Sequence, residues 1–143
     1  MVIKNGLILN KDFKFVKEDI AFGEKITEIG SNLKGEEEID ASGCYVIPGL
    51  IDTHLHGAVG ENFVDFNPDT AQKICEFEAK SGTTTLIPTI SAASKETMKN
   101  AVLYITSKSK DLPPICAKIM GIHLEGPFLS GQYPGSMLKE ALR

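Results

Sequence analysis

The pattern of apolar and polar positions changes character near residue 44. Before it, the segments are short and turn often. Val2-Ile3-Lys4-Asn5-Gly6-Leu7-Ile8-Leu9 is rich in β-formers, and Asn10-Lys11-Asp12 is a polar turn. Phe13 to Ala21 mixes apolar with charged residues, and Ile20 to Gly30 predicts a hairpin turning at Gly23-Glu24-Lys25. Glu36-Glu37-Glu38 reads as a solvated loop or edge. Residues 1–44 are therefore expected to form a small antiparallel sheet, too small to bury both of its faces alone.

Past Gly43 the segments lengthen. Cys44 to Asp52 is a continuous apolar run, the pattern of a strand buried on both faces. Asn67 as N-cap and Pro68 at the first helical position open a helix with Ala71, Ile74, Cys75 and Phe77 on one face. Gly82 can close that helix in a left-handed cap. Thr83-Thr84-Thr85-Leu86-Ile87-Pro88 predicts a second strand. Ser94 caps a second helix, with Met98, Ala101, Val102 and Ile105 at i, i+3, i+4, i+7. Pro113-Pro114 ends this segment, and Cys116 to Glu125 predicts a third strand. The resulting β-α-β-α-β order implies parallel strands joined by right-handed crossovers, an α/β fold. After Gly126-Pro127 and a loop through Pro134-Gly135, a helical pattern begins at Met137 and is still open at Arg143, so a shortened chain is expected.

Composition narrows the function classes. Fifteen basic residues against 19 acidic ones give a net charge of −4, with no basic block, which argues against nucleic acid as a partner. No apolar run approaches the length of a membrane span, and no signal-peptide layout is present. The three cysteines, Cys44, Cys75 and Cys116, are odd in number and far apart, which fits reduced thiols in a cytoplasmic protein. Cys75 falls on an apolar helix face and reads as core, and Cys44 and Cys116 read as small hydrophobes at strand starts. There is no glycine-rich phosphate loop, and Ser130 and Ser136 have no candidate triad partners nearby in sequence.

The chemistry is concentrated at strand ends. Asp52, His54 and His56 share one side of a period-two strand, with Thr53 and Leu55 on the other. Two imidazoles spaced in this way can reach one metal ion. Ligand sites in parallel α/β folds lie beyond the carboxyl ends of the strands, where this pair stands. His123 and Glu125 end the third strand with the same spacing, and Glu125 offers an oxygen donor to a divalent metal. A hydrolytic metal needs about three protein ligands, an open position and a base. The chain has no fourth histidine, so its ligand set is expected to be incomplete.

Pro48-Gly49-Leu50-Ile51-Asp52-Thr53-His54-Leu55-His56-Gly57 resembles the first barrel strand of the amidohydrolase superfamily. Gly82-Thr83-Thr84-Thr85-Leu86-Ile87-Pro88-Thr89 and Gly121-Ile122-His123-Leu124-Glu125-Gly126-Pro127-Phe128-Leu129 narrow the resemblance to the N-acetylglucosamine-6-phosphate deacetylase family. That resemblance implies a TIM (β/α)8 barrel beside a small β-sandwich. Here it implies part of the sandwich in residues 1–44 and the first part of the barrel in 45–143, about three βα units of a fold that takes about 250 residues. It implies metal ligation by Glu125, His54 and His56, and a substrate contact at Ser136, although Met137 stands where the family usually carries a polar residue. The implied reaction is removal of acetate from N-acetylglucosamine 6-phosphate by a metal-activated water. The cofactor is a divalent ion, zinc first, with iron or manganese also suited. The resemblance also implies the phosphorylated amino sugar as partner and a homo-oligomer (a dimer) for the complete enzyme, and the catalytic aspartate is expected beyond Arg143. On this basis the isolated chain is expected to be inactive.

Two other readings are compatible with the residues. A dihydroorotase-like amide hydrolase of the same superfamily would share the histidine pair. A non-catalytic interaction protein, shortened from the enzyme, would expose an unpaired strand edge and apolar helix faces that invite association.

Overall fold

The computed structural model describes residues 1–143, which form two compact units, Met1–Pro48 and Gly49–Arg143. The division falls a few residues after the change in sequence pattern because Tyr45 and Val46 pair with the N-terminal strands.

The first unit holds two small sheets. Strands β1 (Val2–Lys4), β2 (Leu7–Leu9), β3 (Phe15–Lys17), β4 (Asp19–Phe22), β5 (Ile26–Gly30), β6 (Glu38–Asp40) and β7 (Tyr45–Val46) are arranged in the orders β5-β4-β1-β6 and β3-β2-β7. The expected hairpin is β4–β5, antiparallel about the Gly23–Lys25 turn. The sheets are mixed rather than purely antiparallel, since β6 runs parallel to β1 and β7 parallel to β2. Val2, Ile8, Ile20 and Ala41 are buried. Asp19 is buried too, and it is satisfied there: its carboxylate accepts from the amides of Asn5 at 3.2 Å and Leu33 at 3.1 Å. An open apolar groove of about 360 Å³, lined among others by Ile3, Ile20, Phe22, Ile29 and Val46, fits the expectation that the unit cannot bury both faces of its sheets by itself.

The second unit is built around one long strand. Its elements are β8 (Leu50–Leu55), β9 (Gly57–Ala58), β10 (Glu61–Asn62), α1 (Thr70–Lys80), β11 (Thr83–Ser91), α2 (Lys95–Lys108), β12 (Lys118–Ile119) and β13 (His123–Glu125). A short 3-10 turn spans Lys139–Ala141. Strand β11 lies in the centre, parallel to β8 on one side and to β12 and β13 on the other. The helices are the crossovers, so the α/β order expected from the alternating pattern is present, and β9–β10 adds a hairpin that the pattern did not announce. The main core joins Phe63, Ala71, Ile74, Ile90, Met98, Ala101 and Ile105, and a smaller cluster holds Cys75, Leu86 and Ala117.

Four local expectations are corrected. The Cys44–Asp52 run is two strands rather than one, and it is not buried on both faces: β8 is paired only to β11 and leaves Leu50 and Ile51 52% and 65% exposed. Helix α1 starts at Thr70, with Asp69 in the cap position and no side-chain cap, because Asn67 O is used in a preceding turn that accepts Thr70 N–H. Phe77 lies on the exposed side of α1. The third strand is broken into β12 and β13. Ile119 pairs with Leu86 and His123 with Thr89, so the outer strand spends one more residue than β11 over this stretch. Strand β8 shows the same excess between Asp52 and Leu55, opposite Leu86 and Pro88. Both interruptions lie beside Pro88, which has no N–H to give to either ladder.

Candidate metal centre

Strand β11 has a neighbour on each side, and both neighbours carry ligand-type residues to the same end of the sheet. The local irregularity of β8 is held by Asp52, whose carboxylate accepts the His54 amide at 2.9 Å. His56 follows the last residue of that strand, and Gly57 turns the chain at once into the β9–β10 hairpin. A Cβ at Gly57 would collide with the Glu61 carbonyl and lie 2.8 Å from Asn62 Cα, so only glycine permits that turn. Glu125 ends β13, in register with Ser91 of β11.

The three side chains meet. His56 Nε2 lies 3.1 Å and His54 Nε2 3.5 Å from Glu125 Oε2, and the three candidate donor atoms all fall within 4.8 Å of one another. The His54 and His56 rings are 5.3 Å apart by centroid. Zinc–nitrogen and zinc–oxygen bonds of about 2.0–2.1 Å at tetrahedral angles put ligand atoms roughly 3.3 Å apart, close to the two short separations. The donor set, two imidazoles and a carboxylate, suits zinc and leaves a fourth position open. The residues present therefore fit a divalent cation. Half-exposure of the His54 side chain and partial burial of the other two leave the cluster open to small molecules.

Supporting contacts come from β11. Ser91 Oγ lies 3.1 Å from His56 Nδ1, and Thr89 Oγ1, fully buried, lies 3.1 Å from His123 Nδ1. The His123 ring packs edge-on to that of His54 at 4.8 Å. Sequence reading did not single out Thr89 or Ser91. Their period-two spacing at the end of a β-branched strand was the available signal, and it points both to one face. Ser136 is exposed in a turn closed by Met137 N–H to Pro134 O, and it makes no hydrogen bond with the three candidate ligands.

A second polar group, also missed, ties the hairpin to α1. The Glu61 carboxylate accepts from the buried Thr70 hydroxyl and from Lys73 Nζ at 2.6 Å. The hydrogen bond from Lys73, then that from Thr70, holds the Glu61 carboxyl below its ordinary value, and Glu61 raises Lys73 in return. Tyr104 OH donates to Asn67 O at 2.6 Å and accepts from Ala71 N–H at 3.2 Å, and burial raises its phenol.

Comparison with known proteins gives these arrangements a context. The model of the amidohydrolase family matches residues 45–140. An N-acetylglucosamine-6-phosphate deacetylase of Lysinibacillus sphaericus is 26% identical over 143 residues, covering 95% of this chain and 36% of the relative. The crystal structure of the deacetylase of that name from Pasteurella multocida superposes with a TM-score of 0.88 at 28% identity, over 99% of this chain and 38% of the other. A dihydroorotase of Lactobacillus johnsonii is 47% identical, but only over 55 residues, 38% of this chain and 13% of that protein. The chain thus spans little more than a third of the length of the deacetylases it resembles.

Proposed function

This chain belongs to the amidohydrolase family, and from that premise we propose that His54, His56 and Glu125 hold a divalent cation in the N-terminal part of a deacetylase acting on N-acetylglucosamine 6-phosphate. The observation that carries the reading is the convergence of the three side chains from two strands on either side of β11. On this reading residues 1–48 are part of a small β-sandwich, and β8, β11 and the β12–β13 pair are consecutive strands of a TIM barrel. The structural likeness is closer to the Pasteurella deacetylase, at a TM-score of 0.88, than to a D-hydantoinase, at 0.60 over 90% of this chain, and the dihydroorotase likeness covers 38% of this chain. That difference favours the linear acetamide of an amino sugar over a cyclic amide.

A bound zinc would supply a Lewis acid and an acidified water. The chain's own residues supply the rest of what can be derived. Asp52 fixes the backbone from which His54 projects, and Ser91 contacts the His56 ring. Glu125 contributes negative charge that offsets the cation and limits how strongly it attracts anions. Ser136, in its exposed turn, is proposed to meet the sugar. The proton-transferring aspartate is assigned to the portion of the deacetylases that this chain does not cover, as are the subunit contacts of a dimer.

The test is a substrate panel with zinc added. Acetate release from N-acetylglucosamine 6-phosphate is expected to be negligible with the 143-residue chain and restored when the chain is joined to the remaining two-thirds of a related deacetylase. The same chimera carrying Glu125→Gln is expected to lose activity by 10²-fold or more, about 2.7 kcal/mol or more of barrier. A chimera that hydrolyses cyclic ureides and not the amino sugar would establish the dihydroorotase-like reading instead.

A further inference from the structure

We propose that Ser91 is a positioning residue for the cation site, holding the His56 imidazole in the orientation that turns Nε2 toward Glu125. The inference rests on the cation reading of His54, His56 and Glu125, and it concerns a residue outside that ligand set.

Three observations place Ser91 in the role. It stands on the central strand, with β8 on one side and β13 on the other. It is in register with Glu125, so one residue of β11 lies across from the carboxylate while its side chain bonds the imidazole arriving from the opposite neighbour. The bond is to Nδ1, at 3.1 Å, whereas the nitrogen 3.1 Å from Glu125 Oε2 is Nε2. The two ring nitrogens of His56 are therefore divided between two partners.

With an ion on Nε2, the tautomer follows from that division. A neutral imidazole carries one N–H, and a metal takes the nitrogen that lacks it. When Nε2 faces the cation, Nδ1 must hold the proton, and it then donates to Ser91 Oγ. The serine hydrogen remains free to turn elsewhere. A hydroxyl at this point holds the ring plane before the ion arrives and, because it can donate or accept, it accepts from Nδ1–H once Nε2 is given to the ion. Without the hydroxyl, the ring is free to rotate about χ2, and part of the binding free energy is spent on restoring its orientation. His54 has no corresponding hydroxyl contact; its support is the Asp52 bond to its own amide and the edge of His123, itself held by Thr89.

Zinc affinity of the 143-residue chain, measured by competition with a chromophoric chelator, tests the role in Ser91→Ala and Ser91→Thr. Ser91→Ala is expected to bind zinc about 10–100-fold more weakly, and Ser91→Thr, which keeps the hydroxyl, to stay near the parent value. A parent chain that binds zinc tightly and a folded Ser91→Ala that binds equally well would overturn the role of Ser91 and leave the cation site standing. A parent chain that does not bind zinc would overturn both. A measurement on the parent chain alone guards against misfolding of the variants. Long-range proton–nitrogen NMR of the zinc-loaded chain is expected to show His56 protonated at Nδ1. Protonation at Nε2 would overturn the proposal whatever the variants do.

Discussion

At Gly57 the chain leaves a proposed ligand, His56, and enters a hairpin within one residue, and no side chain fits in that space. Gly57→Ala must push the β9–β10 hairpin away from the end of β8, carrying His56 with it. Overpacking of this kind costs about 1–3 kcal/mol, so a lowered urea midpoint together with weakened zinc binding is expected. An unchanged midpoint would show that the turn can relax. Cys75 gives a contrasting residue-scale prediction. Burial, with the neighbouring Cys116 thiol second, pushes its thiol up to about 12. At pH 8 iodoacetamide is expected to label exposed Cys44 and to spare Cys75 until the chain is unfolded, and peptide mass mapping reads both sites. The grouping of the proposed ligands was legible because period-two alternation predicts His54 and His56 on one face and a second strand ends in Glu125. Ser91 and Thr89 were not, because a hydroxyl on a β-branched strand is ordinary until its neighbours across the sheet are known.

Among the elements, α2 and α1 show why one helix was readable and the other less so. Ser94 caps α2 by accepting Thr97 N–H at 3.0 Å, and Met98, Ala101 and Ile105 bury the face their spacing announces. Ser94→Ala should cost about 1 kcal/mol, and Ile105→Ala, emptying the main core, about 2–5 kcal/mol, both measured by chemical unfolding. Helix α1 begins later than its Asn-Pro signal because Asn67 O accepts Thr70 N–H in a preceding turn, and a first-turn amide finds a long-range partner instead, Ala71 N–H donating to Tyr104 OH. The Thr70 hydroxyl and Lys73 Nζ donate to Glu61, on a hairpin that no local pattern revealed. The Glu61–Lys73 pair sets a pH dependence. The Glu61 carboxyl is held below its ordinary 4.5, so its stabilising contribution is complete above that value and disappears as pH falls through the depressed one. Glu61→Gln should therefore flatten the acid limb of a stability-against-pH curve, and an unaltered limb would remove Glu61 from the account. Proline explains the remaining misreading at this scale. The sequence of β11 looks like an uninterrupted strand, yet both neighbours slip register beside Pro88, and β12 and β13 separate there.

For the molecule as a whole, the parallel order of β8, β11 and β13 was visible in the alternation of strand and helix, whereas the exposure of the outer strands was not. Apolar sequence reports a preference for burial and cannot report whether the covering element is within the same 143 residues. Leu50, Ile51, Met120 and Leu124 remain exposed on the strands and breaks flanking β11. A cation bound by residues of two strands should tie these edges together. Zinc at 100 times its dissociation constant is expected to add about 2.7 kcal/mol to the unfolding free energy, since the unfolded chain does not assemble the site. The central claim is that His54, His56 and Glu125 share one ion. X-ray absorption at the zinc edge of the loaded chain tests it most directly: the account predicts nitrogen and oxygen neighbours at about 2.0–2.1 Å with imidazole outer scattering that falls in His56→Asn, and a sulfur neighbour near 2.3 Å, or a spectrum unchanged by that substitution, would contradict it.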